Sequence, residues 1–500
     1  MRRVLGLGAL PVLAALLLLP ATASADTLDA VGNEVLGDTV PLNTLLVFIA
    51  AVLVLFMQAG FALLEIGFSR SKNAGTGIAK IFVNLSIAAV AYWAVGFALA
   101  FGGDGALWGT EGFFLSGFGN PQEAFPVMGL SDAAIESKWL FQFSFCAVSL
   151  AIVWGTTLER IKFGAYVAYA VVFAAVIYPI GSHWVFGGGW LQMGDGPLPT
   201  GMQDFAGSTA VHLIGATGAF AALLLLGPRK GKYGPDGKPR AIPGHSMPLV
   251  GLGIAILMIG WFGFNPGSAL GAADVRFAEV AMVTMLGAAG GVIGAFLATQ
   301  LFQRTIDIGM VGNGVIAGLV AITAPSGYVE AWTAPIIGLV GGLIVVAGVI
   351  LIDRKLDDPV GALSAHGLAG IWGTLACGIF TAPRFAQYNA FGDPEGGLIY
   401  SGAFTQLAAQ AMGVVIAFAF VFAMSFATFY AIKKTIGLRV EEEQEDAGLD
   451  IVEHGMYGYP EQFIDAAEFG AASTGPAASS RAPAGTPAAV SAMAAAEATS

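Results

Sequence analysis

The stretch DFAGSTAVHLIGATGAF, residues 204–220, opens like a membrane-spanning helix yet carries Asp204 and His212. An ionisable side chain costs roughly 3 kcal/mol or more at the centre of a bilayer, so a histidine about two turns inside a span needs a partner or a task. A second stretch repeats the pattern. DPVGALSAH, residues 358–366, sets His366 at the same offset from Asp358 that His212 has from Asp204, with Gly361 matching Gly207.

Composition fixes the surroundings of both stretches. The chain has 500 residues, 56% hydrophobic and 11% charged, with a mean hydropathy of +0.75. A soluble domain carries about 25% charged residues, so the sequence describes a polytopic membrane protein. Its 70 glycines suit close helix approach in lipid. Cys146 and Cys377 both lie in apolar stretches and offer neither a disulfide framework nor a metal site. No cofactor and no nucleic-acid partner is expected. The formal charge of −12 reflects acidic loops and a C-terminal acidic run rather than a partner.

Apolar stretches long enough to span, about 20 residues, fall at 42–66, 76–101, 139–158, 163–185, 205–227, 247–266, 277–302, 309–324, 336–353, 360–382 and 400–432. They predict an all-α membrane protein of eleven transmembrane helices; the stretch at 309–324 is the shortest and is glycine-rich. The N-terminus, with Arg2 and Arg3 before an apolar run and then Ala23-Ser24-Ala25, reads as a signal peptide over 1–25. An extra helix is the alternative. With the mature N-terminus outside, the inside segments hold basic residues from Arg70 and Lys72 through Arg160, Arg229 and Lys230 to Arg439, whereas the outside loops hold only Lys138, Arg276 and Arg384. That asymmetry predicts a multi-pass protein of the cell membrane with its C-terminus cytoplasmic. The membrane domain is expected over 26–436, a cytoplasmic tail over 437–469, and a disordered Ala/Ser/Pro-rich extension over 470–500.

On this topology the helix bearing His212 starts at the outer face and the helix bearing His366 at the inner face. Eight residues descend about 12 Å, so in a core about 30 Å thick the two imidazoles end only about 6 Å apart in depth. This is the geometry of a 5+5 inverted repeat followed by a final helix, with its site at the repeat interface. Two unrelated core histidines, each bonded to a neighbouring carbonyl, are the alternative, and Asp204 and Asp358 also read as N-caps. The spans carry hardly any carboxylates and no Lys or Arg apart from Lys80 near an end. Such a conduit suits a small, nearly neutral solute. An uncharged imidazole both donates and accepts hydrogen bonds, so a pair of them can bind a passing amine and relay its proton.

GFALLEIGFSRSKN (60–73), FQFSFCA (141–147), HWVFGGGW (183–190), DFAGSTAVH (204–212), WFGFNPGS (261–268), DDPVGALSAHG (357–367) and GLRVEEEQEDAGLDIVEHG (437–455) together resemble the ammonium transporter family (Amt/Mep/Rh) over about residues 40 to 456. FNPGS and DFAGS favour its bacterial Amt branch. The resemblance implies an ammonium transporter, working as a homotrimer with a central pore per subunit. It implies that His212 and His366 are the twin histidines of the pore, Phe145 and Phe264 its stacked outer gate, and Ser268, Phe141 and Asp204 parts of the external ammonium site. Phe186 departs from the tryptophan often found before the triple glycine, which implies weaker cation–π recruitment unless Trp184 or Trp190 substitutes. The 437–455 segment implies a tail on which a P-II signal protein docks, although by composition EEEQED is a solvated charge run. An ammonium sensor with little flux and a Rh-like channel for ammonia or carbon dioxide remain as alternatives. An enzyme is not expected, because no nucleophile–base motif or ligand cluster stands out.

Overall fold

The computed structural model describes residues 39–103, 105–116, 133–272, 275–388 and 391–463. The expected signal peptide and the 470–500 extension lie outside the described residues. Ten helices among the described residues are long and apolar enough to cross a membrane: α1 (Thr39–Phe68), α2 (Ser71–Phe101), α3 (Ile135–Thr156), α4 (Phe163–Met193), α5 (Ser208–Leu226), α6 (Met247–Gly267), α7 (Arg276–Gln303), α9 (Ala331–Ile352), α10 (Leu363–Phe380) and α11 (Thr405–Thr435). Between α7 and α9 lies the shorter apolar helix α8 (Ile308–Thr323). Its 16 residues rise about 24 Å, less than the core thickness, and a tight turn at Pro325–Gly327 takes over where it stops. The all-helical expectation is met, with eleven helices in the expected order.

The boundaries follow local chemistry. α6 starts where Ser246 accepts the Leu249 amide at 3.4 Å, with Pro248 in its first turn. α8 starts where Asp307 accepts the Met310 amide at 3.0 Å. Three basic and terminal positions differ from expectation. Lys138, expected in a loop, lies buried in the first turn of α3, because that helix begins at Ile135. Arg276 likewise opens α7 rather than lying in a loop. α11 starts at Thr405, after Gly402 in the left-handed region (φ 69°) has closed the short helix Leu398–Ser401.

The packing repeats between the halves. α1 lies along α6, where a Cβ at Gly253 would stand 2.5 Å from the Leu64 amide nitrogen. In the second half α7 lies along α9, where a Cβ at Gly338 would stand 2.0 Å from the Gly287 carbonyl. Backbones this close leave no room for a side chain at Gly253 or Gly338. α5 and α10 hold equivalent places at the meeting of the halves, and each opens with a π-helical turn, Ser208–Leu213 and Leu363–Leu368.

Loops expected to share one side meet in one buried ionic cluster, which we term the basic end. Arg70 donates from Nε to Glu159 at 2.8 Å, and Arg229 forks onto Asp357 at 2.9 Å through both Nε and Nη2. Arg160 donates to the carbonyls of Leu158, Gly227 and Asp357. Burial alone would raise the Glu159 carboxyl, but Arg229 and Arg70 outweigh it and hold the group below the usual carboxylate range. The tail packs on the same end. Asp450 accepts the amides of Gly75 (2.9 Å) and Thr76 (2.8 Å), and Lys72 donates to the carbonyls of Glu445 and Asp446. Of the EEEQED run, Glu441, Glu442 and Glu443 are exposed as composition suggests, whereas Glu445 is buried against Arg439 at 2.6 Å.

Candidate functional site

The site is built on two carboxylate-capped helix starts. Both oxygens of Asp204 are used: Oδ1 accepts the amides of Gly207 (2.7 Å) and Ser208 (3.0 Å), and Oδ2 those of Thr209 (2.8 Å) and Ala210 (2.9 Å). These are the orphan donors of a helix N-terminus, and here a single buried carboxylate satisfies four of them. Gly207 turns the chain at φ 120°, which a side chain would resist. Asp358 repeats the arrangement with the amides of Gly361 (3.0 Å) and Leu363 (2.7 Å), and Gly361 also has a positive φ, of 74°. The capping expectation therefore fits both aspartates.

Each π-helical turn then carries its histidine inward. In α5 the His212 amide reaches back five residues to the Gly207 carbonyl at 3.0 Å, and the Ser149 hydroxyl of α3 donates to the Val211 carbonyl at 2.8 Å. π-bulges of this kind re-aim side chains and recur at functional sites. Thr209 and Thr374 join α5 to α10 through their hydroxyls at 2.7 Å. The result is that His366 and His212 meet, Nδ1 to Nδ1, at 3.2 Å, with ring centroids 5.2 Å apart and planes 25° from parallel. Both are buried. A hydrogen bond between two Nδ1 atoms requires one ring to donate and the other to accept, so two neutral rings here hold opposite tautomers.

The pair continues a column of rings. Phe264 of α6 stands 5.4 Å from His212 and stacks on Phe145 of α3 at 4.0 Å and 13°. Phe141, one turn before Phe145, tilts against it at 4.6 Å. Flat stacking at 4.0 Å leaves no room between the two phenylalanines. Ser268 lies one turn beyond Phe264, and its hydroxyl donates to the Phe264 carbonyl at 2.8 Å. The neighbouring Gly267 lets the Phe141 ring edge approach within 3.0 Å of where a Cβ would stand. The structure thus brings His212, His366, Phe264, Phe145 and Phe141 into one file of rings, with Ser268 one turn along α6 from Phe264.

Among the described residues Phe186 makes no ring contact with that file. It is buried at the end of its helical segment in α4. Trp184 and Trp190 pack on each other at 5.7 Å, and Trp184 on Phe420 of α11 at 4.6 Å. The triple glycine is held by the His183 carbonyl, which accepts the amides of Gly187 (2.9 Å) and Gly189 (3.0 Å), and by Gln192 Oε1, which accepts the Gly188 amide at 2.8 Å; the His183 ring nitrogens reach instead the carbonyls of Ala100 (2.7 Å) and Gly105 (2.5 Å).

Sequence reasoning missed three neighbours of the site. Trp261 stacks on His212 at 5.2 Å and donates its indole N–H to Thr323 at 2.9 Å; its place one turn before Phe264 was the available signal. Glu65 and Asn313 line a cavity shared with His366. Glu65 was legible only as a lone acid in an apolar run. Lys80, expected near a span end, is buried, with its ammonium 3.5 Å above the Trp154 ring.

Residues 45–459 match the model of the Ammonium Transporter Family. The chain is 43% identical to the ammonium transporter Amt2 of Archaeoglobus fulgidus over 452 residues, covering 89% of this chain and 93% of that one. It is 33% identical to the ammonium transporter of Bacillus subtilis, covering 83% and 98%. Among solved structures, one described as a sensor Amt protein superposes with a TM-score of 0.74 at 35% identity, covering 83% and 98%. Mep2 of Candida albicans gives 0.75 at 27% identity, covering 86% and 93%. With this match across the whole helical bundle, the chain belongs to the ammonium transporter family, a family of multi-pass membrane transporters rather than enzymes.

Proposed function

We propose that this protein moves ammonium across the cell membrane by recruiting the ion at its outer face, removing a proton, and passing ammonia through the ring-lined file. The observation that carries the reading is the Nδ1–Nδ1 contact of His212 and His366 at 3.2 Å, directly behind the Phe145–Phe264 stack. A bare ammonium ion entering so apolar a passage would lose its hydration, a cost of several kcal/mol even after relaxation. Ammonia avoids that cost. Ser268 and the Phe141 ring hold the ion outside the gate, with Phe186 as a further aromatic wall of the vestibule. Asp204 supports the site by fixing the start of α5. The proton left behind enters the histidine pair: when one Nδ1 gives up its hydrogen to the other, both tautomers exchange, and a proton accepted at one end is released at the other.

In this reading the basic end faces the cytoplasm, with the mature N-terminus outside, following the distribution of Lys and Arg. The protein assembles as a homotrimer with a pore in each subunit, and exposed apolar side chains such as Leu45, Phe48 and Phe56 on α1 give it faces for lipid or a neighbouring subunit. The tail packed on the basic end is where a P-II signal protein would bind.

The test is to reconstitute the purified chain in liposomes and record current and labelled-analogue uptake on adding external ammonium. Saturable uptake supports transport. The likeness to a sensor Amt protein keeps a second reading in view, and binding without accumulation would establish that one instead.

A further inference from the structure

Between His366 and the basic end lies a small cavity of about 20 Å³, counted as room for the centre of a water-sized molecule. Its walls are apolar, with Phe61, Leu257 and Ile316 among them, and the polar side chains in its lining are Glu65, Asn313 and His366. Asn313 donates to the Val360 carbonyl at 3.1 Å and is thereby fixed. Glu65 is different. It sits one turn before the end of α1, is 2% exposed, and its Oε2 has no hydrogen-bond partner. Among the described residues it forms no ion pair. The cation whose field reaches it, Lys80, is itself buried and held on the Trp154 ring, with no hydrogen-bond partner for its ammonium nitrogen.

A buried carboxylate with a free oxygen is costly, and ionisable groups retained inside membrane proteins mark ion and proton pathways. The position of this one is specific. His366 is 6% exposed whereas His212 is fully enclosed, and its Nδ1 is already engaged by His212, so Nε2 is the nitrogen left to continue a relay into the shared cavity.

We propose that Glu65 is the exit acceptor of the transport path. Resting on the histidine-pair reading above, the step is this: the proton released by His366 passes to Glu65 Oε2, directly or through water in the cavity, and makes the carboxyl neutral. Ammonia arriving in the same cavity then takes that proton, ammonium forms, and the carboxylate is restored. One proton and one ammonia enter the cavity, and one ammonium leaves it.

The test uses the full-length chain in liposomes, with ammonium jumps applied outside at several internal pH values. Glu65→Gln keeps the shape and removes the charge. Its maximal current should fall by about a hundredfold or more, the lower edge of what a positioned acid or base contributes. The half-saturating external ammonium concentration should stay within about twofold. The dependence on internal pH seen in the wild type should be lost. Glu65→Asp should retain that dependence with its midpoint moved. A folded Glu65→Gln protein with wild-type current and wild-type internal-pH dependence overturns the assignment while leaving the histidine reading intact. A wild-type protein with no flux at all defeats the histidine reading itself. Should the glutamine variant not fold, Glu65→Asp decides: an unmoved internal-pH midpoint overturns the proposal.

Discussion

Replacing Asp204 with asparagine separates the cap from any direct role in holding substrate. The wild-type carboxylate accepts four amides, two on each oxygen, at 2.7–3.0 Å. Asparagine keeps one acceptor oxygen and turns an NH₂ toward the other two amides. Each buried donor left without a partner costs about 1–3 kcal/mol, so the two abandoned amides cost roughly 2–6 kcal/mol, before any donor–donor repulsion. The loss falls at the start of the π-helical turn that aims His212. We expect the purified Asp204→Asn protein to unfold several degrees below the wild type in detergent. We also expect ammonium-induced current to fall together with stability, because a loosened start to α5 slackens the 3.2 Å histidine contact. Wild-type unfolding combined with lost transport would refute the capping argument and show that the carboxylate acts on the ion itself. Wild-type behaviour in both would refute any role for it.

Two further outcomes follow from the geometry. Changing Phe186→Trp should tighten apparent affinity for external ammonium by about two- to fivefold if that ring belongs to the vestibule, since a cation–π contact contributes about 0.5–1 kcal/mol at exposed sites; unchanged affinity in the uptake assay would remove Phe186 from the wall. At the basic end, burial raises Asp357, but the Arg229 fork and Arg160 outweigh it and hold the carboxyl at about 2. A depressed carboxylate stabilises the fold fully above its unfolded pKa, about 3.9, and loses that contribution as pH falls toward about 2. The pair of pKa values corresponds to on the order of 2–3 kcal/mol at neutral pH. Asp357→Asn should therefore lower stability at neutral pH and flatten its fall between about pH 4 and pH 2, measured by thermal unfolding across that range; a parallel pH profile would contradict the assignment.

The fold was legible because lipid forces its pattern on the sequence. Apolar runs of spanning length place the helices, and the two DxxGxxxxH stretches, taken together with the sidedness given by the basic residues, point to the relation between the halves. The depth argument brought the two imidazoles to similar levels in the membrane without fixing their lateral separation, and the ring centroids stand 5.2 Å apart. The Phe145–Phe264 stack was legible only through family resemblance, since two phenylalanines on separate helices carry no pairing signal. What escaped was set by burial. Lys80 read as lying near a span end and Lys138 as a loop residue; for Lys80, hydropathy cannot see the Trp154 ring beneath its ammonium. Glu65 read as one acid in a greasy run because nothing local tells whether a carboxylate faces a neighbour or a cavity. The π-helical turns were invisible too: contacts from other helices, such as the Ser149 hydroxyl on the Val211 carbonyl, carry no signal in the local sequence.

The central claim is that two imidazoles sharing one hydrogen bond relay the proton inward behind the phenylalanine stack while ammonia moves along the same file as a neutral solute. The most direct measurement is ammonium-induced current, with potassium as competitor, in liposomes bearing the His212→Ala and His366→Ala variants singly and together, each first shown to fold as the wild type does. The account predicts that either single change abolishes the ammonium current or lets potassium through, and that the double change does no further harm. A folded double variant that still carries the wild-type ammonium current, and still excludes potassium, would contradict it.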